Sequence, residues 1–470
     1  MKEELRNISA EKLNMLHSVM PAIVQDMTVE QVTELLDLTD KGMVRNSVTN
    51  AELILSYDPL LREGIRYNEL TQRIDIVKQM GWERINCGSA LTDNDLYNIH
   101  LYCNRTYGIN TLAIVEEAVQ IVANRNAFHP IRDYLSGLRW DEQERIRYAL
   151  HHFLGAEVSD YSYEILKLFM LGAVSRVFRP GCKFDYILCL VGGQGVGKSS
   201  FSRLMGITDE WFTDDLKDME SAKVYEKMQG HWIIELSEML ATNNAKSNEA
   251  VKSFLTRQRE TYRTPYEKYP KDRPRQCVFM GTTNKIMFLP NDRTGNRRFL
   301  PIRCEEDASE VFILDNEKES RAYIVQMWAE IMEIYRRKDF KLKLTPEMEA
   351  EVKRRQKEFM QEDVDAGLII AYMDDFTGDR VCSKQLFKEA LHNEFVKPAR
   401  WQTNEINEIM NQLIRDGTLT GWRYFSSPKR FGSEYGTQKG WERIPGVYQE
   451  ASTEDRFVPV PEQMEIPFEK

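Results

Sequence analysis

A continuous apolar run followed by a glycine-rich turn constrains this chain more than any other feature of its sequence. Residues 184–191 read FDYILCLV, which has the length and composition of a buried parallel strand. The next residues, GGQGVGKSS, satisfy the pattern G-x-x-x-x-G-K-[ST] with Gly192, Gly197, Lys198 and Ser199. An ordinary strand-to-helix turn is the simpler alternative. The strand before and the helix after favour a P-loop in a parallel α/β core.

The spacing of the motif suits a site for nucleotide phosphates. Glycines let backbone N–H groups curl around phosphates, and the helix N-terminus adds a favourable dipole. Lys198 is predicted to contact the β- and γ-phosphates, and the Ser199 hydroxyl to bind Mg²⁺. We therefore expect ATP and Mg²⁺ as cofactors. The predicted nucleotide-binding residues are Gly192, Gly193, Gln194, Gly195, Val196, Gly197, Lys198, Ser199 and Ser200.

A P-loop needs an acidic partner at the end of a neighbouring strand, and HWIIELSEML supplies one. Glu235 follows the apolar residues 232–234, so we predict that it joins Ser199 in the Mg²⁺ site. Glu238 is predicted to orient the attacking water, with a solvated carboxylate at a helix start as the alternative.

A third apolar run, CVFMGTTN, ends in Asn284, which is placed to bond the attacking water or the γ-phosphate. An isolated Asn is more often a turn former. NDRTGNRRF then supplies Arg293, Arg297 and Arg298. A cation that reaches the γ-phosphate of an adjacent subunit accelerates hydrolysis, and the alternative for each arginine is a structural ion pair.

A basic, tyrosine-rich segment lies between these strands within an acidic chain of net charge −10. Residues 251–300 hold 12 Lys or Arg against 4 Asp or Glu, a local charge of +8. The segment RQRETYRTPYEKYPKDRPRQ predicts a hairpin that meets DNA through phosphate contacts and base stacking, and a solvated loop is the alternative. The predicted DNA-contacting residues are Arg263, Tyr266, Lys268, Tyr269, Lys271, Arg273 and Arg275.

The rest of the chain divides by pattern into five predicted segments. These are a helical N-terminal region (1–130), a helical segment leading into the core (131–180), the P-loop ATPase core (181–345), a C-terminal module (346–445) and a disordered tail (446–470). Capping boxes are predicted at Thr28 and Thr92. Asp93 and Asp95 have the spacing of a metal pair, but a charged first helical turn fits them better because no strand precedes them.

Two amphipathic segments, 384–393 and 403–415, precede an aromatic, glycine-containing stretch at 421–444. Two helices and a hairpin are the outline of a winged-helix module. Glu405 and Glu408 in the candidate recognition segment weaken a groove-reading role, so docking of protein or packing in a ring is an equal alternative.

Seven scattered cysteines without Cys-x-x-Cys spacing predict buried thiols and no zinc site. No run of eighteen apolar residues predicts a membrane span, and the polar start is unlike a secretory signal. We expect a cytoplasmic protein.

Several motifs in order resemble the virulence-associated protein E family of phages and mobile genomic islands. They are HPIRDYLSGLRWD at 129–141, the P-loop, WIIELSE, the R-T-P-Y segment at 263–266, GTTN and GNRRF; NSVTNAELIL and YNE near the N-terminus look similar too. That family is related to superfamily 3 helicases and poxvirus-type primase-helicases in the AAA+ group.

The resemblance implies ATP-driven unwinding or remodelling of DNA by a ring, usually hexameric, with nucleotide between subunits. It implies that Arg297 or Arg298 is a trans-acting finger, Asn284 a sensor and 262–275 a DNA-contacting loop. Glu235 and Glu238 are three apart, whereas many AAA+ proteins have adjacent acids here, so the general base stays open. We expect a DNA-dependent ATPase of helicase type, working with a separate primase or replication protein. The alternatives are an ATP-controlled DNA-binding initiator or regulator, and a small-molecule kinase, which would not explain the basic hairpin.

Overall fold

A computed structural model describes residues 27–85, 88–216, 224–237, 245–262, 270–289, 296–360, 363–393 and 395–445. The chain forms two compact units, Met1–Gln361 and Glu362–Lys470. Among the described residues, no helix is long and apolar enough to cross a lipid bilayer.

Within the described residues from 27 to 125, the N-terminal part of the first unit is built from four helices and a β-hairpin around its own apolar core. In chain order these are α1 (Val29–Leu35), α2 (Val48–Tyr57), β1 (Ile65–Asn68), β2 (Arg73–Ile76), α3 (Asp93–Tyr107) and α4 (Leu112–Arg125). Both predicted capping boxes are present, at Thr28 and Thr92. The Asp95 carboxylate accepts from the Trp82 indole at 2.8 Å and the Arg84 guanidinium at 2.9 Å, so it serves the helix start.

The β1–β2 hairpin departs from the predicted all-helical N-terminal region. Its strands pair antiparallel, with Ile65 opposite Ile76. Apolar residues alternate in RIDI, which is the period of a strand, but each strand is only four residues long. The Asn68 carboxamide stabilises the turn by accepting from the N–H groups of Leu70 and Thr71.

Three helices connect this part to the sheet: α5 (Pro130–Gly137), α6 (Ile146–Leu154) and α7 (Asp160–Phe178). Helix α7 lies in the segment 131–180 that was predicted to be helical, and fourteen of its nineteen residues are buried. A helix that is buried on nearly all sides belongs in a core. It packs against α6 and against the sheet behind two of its strands.

The centre of the first unit is a five-stranded parallel sheet with flanking helices. Its elements in chain order are β3 (Ile187–Gly192), α8 (Lys198–Met205), β4 (Phe212–Thr213), α9 (Val224–Met228), β5 (Ile233–Ser237), α10 (Ala245–Thr256), the separate hairpin β6 (Arg259–Tyr262) and β7 (Lys271–Pro274), then β8 (Val278–Thr283), β9 (Phe299–Cys304), α11 (Glu317–Arg337) and α12 (Pro346–Gln356). The strands lie in the order β4-β5-β8-β3-β9. The predicted parallel α/β core is confirmed at this level, although the two-residue β4 was not predicted.

The strand order determines which side chains meet. Strand β8 lies between β3 and β5, and all three run parallel. The carboxyl ends of β3, β5 and β8 therefore lie side by side at one edge of the sheet, where ligands of open parallel sheets bind.

Helix α12 begins at Pro346 after the Thr345 N-cap. It packs in the first unit, although its sequence position assigns it to the C-terminal module. The Gln356 side chain is buried and donates to the carbonyls of Asn296 and Phe299, both at 2.7 Å.

The described residues of the second unit form four helical segments and a small antiparallel sheet. In chain order they are α13 (Val364–Asp375), β10 (Arg380–Val381), α14 (Ser383–Gln385) continuing into a π turn (Leu386–Ala390), α15 (Arg400–Arg415), β11 (Trp422–Arg430), α16 (Gly432–Tyr435) and β12 (Thr437–Arg443). The strand order is β10-β12-β11, and the predicted hairpin is the β11–β12 pair. Trp441 and Met410 are fully buried in its core.

Candidate functional site

The glycine-rich loop joins β3 to α8, and its glycines are required by its backbone. Gly195 and Gly197 have φ values of +96° and +91°, a region that glycine enters without steric cost. A Cβ atom at Gly192 would lie 2.2 Å from the carbonyl oxygen of Cys304 on the neighbouring strand β9. The loop therefore bends tightly against the sheet and leads into a helix whose first residue is Lys198.

The Lys198 ammonium group lies inside this loop and is 7% exposed. It donates to the carbonyl oxygen of Gly192 at 2.9 Å, to that of Gly193, and to the Asn284 side-chain oxygen at 3.0 Å. Burial lowers the pKa of Lys198, and the nearby Glu235 carboxylate opposes that shift. The loop thus concentrates one positive charge where the strands end.

The Glu235 carboxylate lies beside the lysine, at the end of β5, and is 1% exposed. Its Oε1 atom accepts from the Ser199 hydroxyl at 2.7 Å and the Thr282 hydroxyl at 2.5 Å. Its Oε2 atom is buried without a hydrogen-bond partner. Burial raises the pKa of Glu235, although the two hydroxyl donors oppose the shift.

This donor set fits a magnesium ion carried by a nucleotide. Mg²⁺ prefers oxygen ligands and is bound with substrate phosphates by one or two carboxylates rather than by a cage of side chains. The hydroxyl of Ser199 and the unpartnered Oε2 of Glu235 are such ligands. No group of three or more His, Cys, Asp or Glu side chains that could hold a metal is found within the described ranges.

Asp214 is a second acid at this edge, and the sequence analysis missed it. Thr213 of β4 pairs with Ile234 of β5, so the next residue, Asp214, lies beside Glu235. Its charge contributes to the raised pKa of Glu235. The available signal was the pair of acids that ends FTDD, but a two-residue strand gives no periodicity.

The side chains converge on an open cleft of about 770 Å³. It is lined by Gln194, Gly195, Gly197, Lys198, Ser199, Ser200, Ser237, Thr282, Thr283, Asn284, Lys285 and Phe312. Asn284 is exposed on the cleft wall, whereas Thr282 and Thr283 are buried. Lys198, Ser199, Glu235 and Asn284 are thus brought together as predicted from their positions at strand ends. Glu238 lies outside the described residues.

The predicted DNA-contacting segment contains a hairpin, of which the structure describes the two strands. Arg259 of β6 pairs with Pro274 of β7, antiparallel. Lys271 is exposed at the open end of β7. The predicted contacts Arg263, Tyr266, Lys268 and Tyr269 lie outside the described residues.

Arg273 and Arg275, two of the predicted DNA contacts, have buried side chains with partners inside the protein. Arg275 is 2% exposed, forms an ion pair with Glu260 and stacks its guanidinium over Phe254 at 4.9 Å. Arg273 is 5% exposed and donates to the Gln72 side chain in the turn of the β1–β2 hairpin. Charge density along the sequence does not reveal such internal partners.

Arg297 and Arg298 lie at the other edge of the sheet from the cleft. They precede β9, and their guanidinium groups are 3.8 and 3.5 Å from the Asp185 carboxylate, just before β3. Six residues of strand separate this edge from the glycine-rich loop, a distance of about 17 Å. Within one chain these arginines are therefore not in the cleft with Lys198. Arg293 lies outside the described residues.

The two arginines line a strongly basic cleft of about 980 Å³. Its charged side chains are Arg179, Lys183, Asp185, Arg297, Arg298, Lys338, Lys341, Lys343, Glu349 and Lys353. Eight cations against two acids give this surface the opposite sign to the chain as a whole.

None of the curated proteins compared matches this chain. Among solved structures, the apo C-terminal region (305–718) of NrS-1 is similar at 12% identity and a TM-score of 0.40, covering 81% of this chain and 95% of that one. An A-form apo structure of the same region gives 12% identity, a TM-score of 0.42, and coverage of 81% and 96%. The likeness to both is weak.

A family profile gives the informative comparison. Residues 135–361 match the virulence-associated protein E-like domain. This range includes every side chain that lines the cleft, and it ends where the first compact unit ends. The chain therefore carries a virulence-associated protein E-like domain, which confirms the resemblance predicted from its motifs.

Proposed function

We propose that this chain is an ATPase of superfamily 3 helicase type that acts on DNA during replication of a phage or mobile element. The observation that carries the proposal is the convergence of Lys198, Ser199 and Asn284 on one cleft at the carboxyl edge of a parallel sheet, with the buried Glu235 carboxylate bonded to Ser199. A phosphate tail, its metal ion and a water require these groups at such an edge.

The loop and Lys198 bind the phosphates in this proposal. The Lys198 ammonium exchanges its carbonyl partners at Gly192 and Gly193 for phosphate oxygens, which accept a charge-assisted hydrogen bond better than neutral carbonyls do. Burial of the lysine keeps this charge poorly screened by solvent. The N-terminus of α8 adds backbone N–H groups and a favourable dipole.

Ser199 and Glu235 would hold the magnesium ion, which would neutralise part of the phosphate charge when it is bound. Before that, the Ser199 and Thr282 hydroxyls keep the Glu235 carboxylate in one orientation. The buried Oε2 is presented without a competing hydrogen bond.

Asn284 and a second acid handle the attacking water. The Asn284 carboxamide, already bonded to Lys198, is positioned to orient a water against the γ-phosphate. Asp214, beside Glu235, is a candidate to accept the proton of that water, as is Glu238. Two acids that differ in burial divide the roles, since the buried one suits a fixed ligand and the exposed one can exchange protons with solvent.

A second copy of the chain is needed for the arginines to take part. Arg297 and Arg298 lie too far from Lys198 in their own chain, but the basic cleft around them would attract the phosphates held by a neighbour. This supports a ring in which each nucleotide lies between two subunits, with six as the number implied by the family resemblance.

DNA is the proposed substrate of the motor. The exposed Lys271 and the predicted contacts Arg263, Tyr266, Lys268 and Tyr269 carry the phosphate and base contacts in this proposal. The second unit supports the same assignment. Its order of helix, strand, two helices and two strands, with β12 in the middle of the sheet, is compatible with the winged-helix module that we propose for it.

The test is the rate of ATP hydrolysis with and without single-stranded DNA, with Lys198→Ala as the blank. The proposal expects hydrolysis that rises several-fold with DNA and is lost in the variant. Hydrolysis that is indifferent to DNA would refute the motor and leave an ATP-controlled assembly. Hydrolysis that survives Lys198→Ala would refute the site.

A further inference from the structure

The segment between β9 and α11, residues 305–316, is fixed against the protein body. The Glu305 N–H donates to the carbonyl of Leu154 at 2.9 Å, and the N–H groups of Glu310 and Val311 both donate to the carbonyl of His152, at 3.1 and 3.2 Å. Gly155 allows the close approach, since a Cβ there would lie 1.9 Å from the carbonyl oxygen of Glu305. The segment is therefore held before any ligand arrives.

Its apolar residues divide into one anchor and three exposed side chains. Ile313 is completely buried, whereas Val311, Phe312 and Leu314 are 39%, 41% and 39% exposed. Of these three, Phe312 lines the nucleotide cleft. Its ring lies against the glycine-rich loop, 3.6 Å from the position of a Cβ on Gly197.

The sheet order separates the polar and apolar ends of the cleft. Strand β8, which leads to Thr282 and Asn284, flanks β3 on one side; β9, which leads to Phe312, flanks it on the other. The two flanking strands are about 10 Å apart. Charged and hydrogen-bonding groups thus meet the phosphates on the β8 side, and an aromatic face is presented on the β9 side.

We propose that Phe312 is the stacking platform for the base of the bound nucleotide. The inference rests on the proposed function and adds the residue that makes the cleft a nucleotide site rather than a polyphosphate site. An aromatic face stacks on any nucleobase, so Phe312 supplies affinity for ATP and GTP alike. Because its loop is already anchored to α6, the ring is held in place before binding, which limits the ordering cost.

The test compares the binding of ATP and of inorganic tripolyphosphate, each with Mg²⁺, by calorimetry. Phe312→Ala should weaken the binding of ATP roughly 5- to 100-fold and leave the binding of tripolyphosphate unchanged. Phe312→Trp should retain ATP binding, since it keeps a π-face. Leu314→Ala is the matched control, because Leu314 is equally exposed on the same turn but does not line the cleft. Thermal melting of each variant checks its fold.

Each outcome has one meaning. Unchanged ATP binding in Phe312→Ala, or equal weakening of ATP and tripolyphosphate, overturns the stacking role while the phosphate site stands. An equal effect of Leu314→Ala overturns it too. If the wild-type chain binds neither probe, or binds both independently of Lys198, the proposed function fails and the inference fails with it.

Discussion

Replacing Glu235 by Gln should stabilise the protein while it abolishes hydrolysis. The wild-type carboxylate is 1% exposed, and its Oε2 has no hydrogen-bond partner. A buried, unsatisfied polar atom costs about 1–3 kcal/mol, and more when it is charged. The Gln amide oxygen can still accept from the Ser199 and Thr282 hydroxyls, and its NH2 group takes the unpartnered Oε2 position. The substitution therefore removes the part of the cost that is due to the charge. We expect a gain of about 1–3 kcal/mol in the free energy of unfolding.

This gain in stability predicts a rise in the melting temperature and a dependence on pH. At about 2 cal/mol/K of unfolding entropy per residue, a unit of this length should melt about 1–4 °C higher. Burial raises the pKa of Glu235 above its ordinary 4.5, so the folded chain binds this proton more tightly than the unfolded one. The stability that the wild type gains from the protonated Glu235 is therefore fully present below pH 4.5 and is lost as pH rises through the pKa of the folded state. The advantage of Gln should be small in acid and largest near neutral pH and above.

Urea unfolding at about pH 4.5 and about pH 8 measures both effects. Trp232 and Trp328 report on the core by fluorescence, since both are fully buried with ring centroids 4.4 Å apart. Glu330→Gln is the matched control. Its carboxylate is also buried, but one of its oxygens accepts from the N–H groups of Arg145 and Ile146, so the variant should lose about 1 kcal/mol. The reasoning would be refuted if the Glu235→Gln protein were no more stable than the wild type near pH 8. It would also be refuted if the difference in free energy of unfolding between the two proteins were the same at both pH values.

Four further changes test other parts of the site and the fold. Asp214→Asn should lower kcat about 100-fold or more and leave the Kd for ATP unchanged, and a matching loss of binding would contradict a role in proton transfer. Mixing Arg298→Ala with Lys198→Ala subunits should restore part of the hydrolysis that each lacks, and an inactive mixture would argue against a finger in trans. Lys271→Ala should reduce stimulation by DNA and its salt dependence without lowering basal hydrolysis. Arg275→Ala should instead lower the free energy of unfolding in urea by about 3–5 kcal/mol, because it leaves Glu260 buried and unpaired. A loss below about 1 kcal/mol, as for an exposed ion pair, would contradict the buried position of Arg275.

The parts of the site that sequence could predict are those set by local pattern. The glycine loop, Lys198 and Ser199 follow from one short motif, and Glu235 and Asn284 follow from apolar runs that end in polar residues. Parallel strands bring such endings to one edge, so their meeting could be expected before the strand order was known. The contacts between Lys198 and Asn284 and between Ser199 and Glu235 are the outcome.

The parts that could not be predicted depend on contacts between distant segments. Asp214 is placed by a two-residue strand that has no periodicity of its own. In the sequence, Arg275 is one of several cations in a basic segment. Only the fold shows that it pairs with Glu260, fifteen residues earlier. Phe312 lies in an irregular segment after β9, the last strand of the parallel sheet along the chain. Its position depends on hydrogen bonds between this segment and α6, which precedes it by more than 150 residues.

The base of the β6–β7 hairpin is joined to the N-terminal region, and this has a mechanical consequence. Arg273 bonds the Gln72 side chain, and Gln276, just after β7, donates to the carbonyl of Glu69 at 2.8 Å. Gln229, before β5, reaches the Thr71 carbonyl in the same turn. A displacement of strands β6 and β7 would therefore strain the β1–β2 turn as well as β8, so the N-terminal region braces the base of this hairpin.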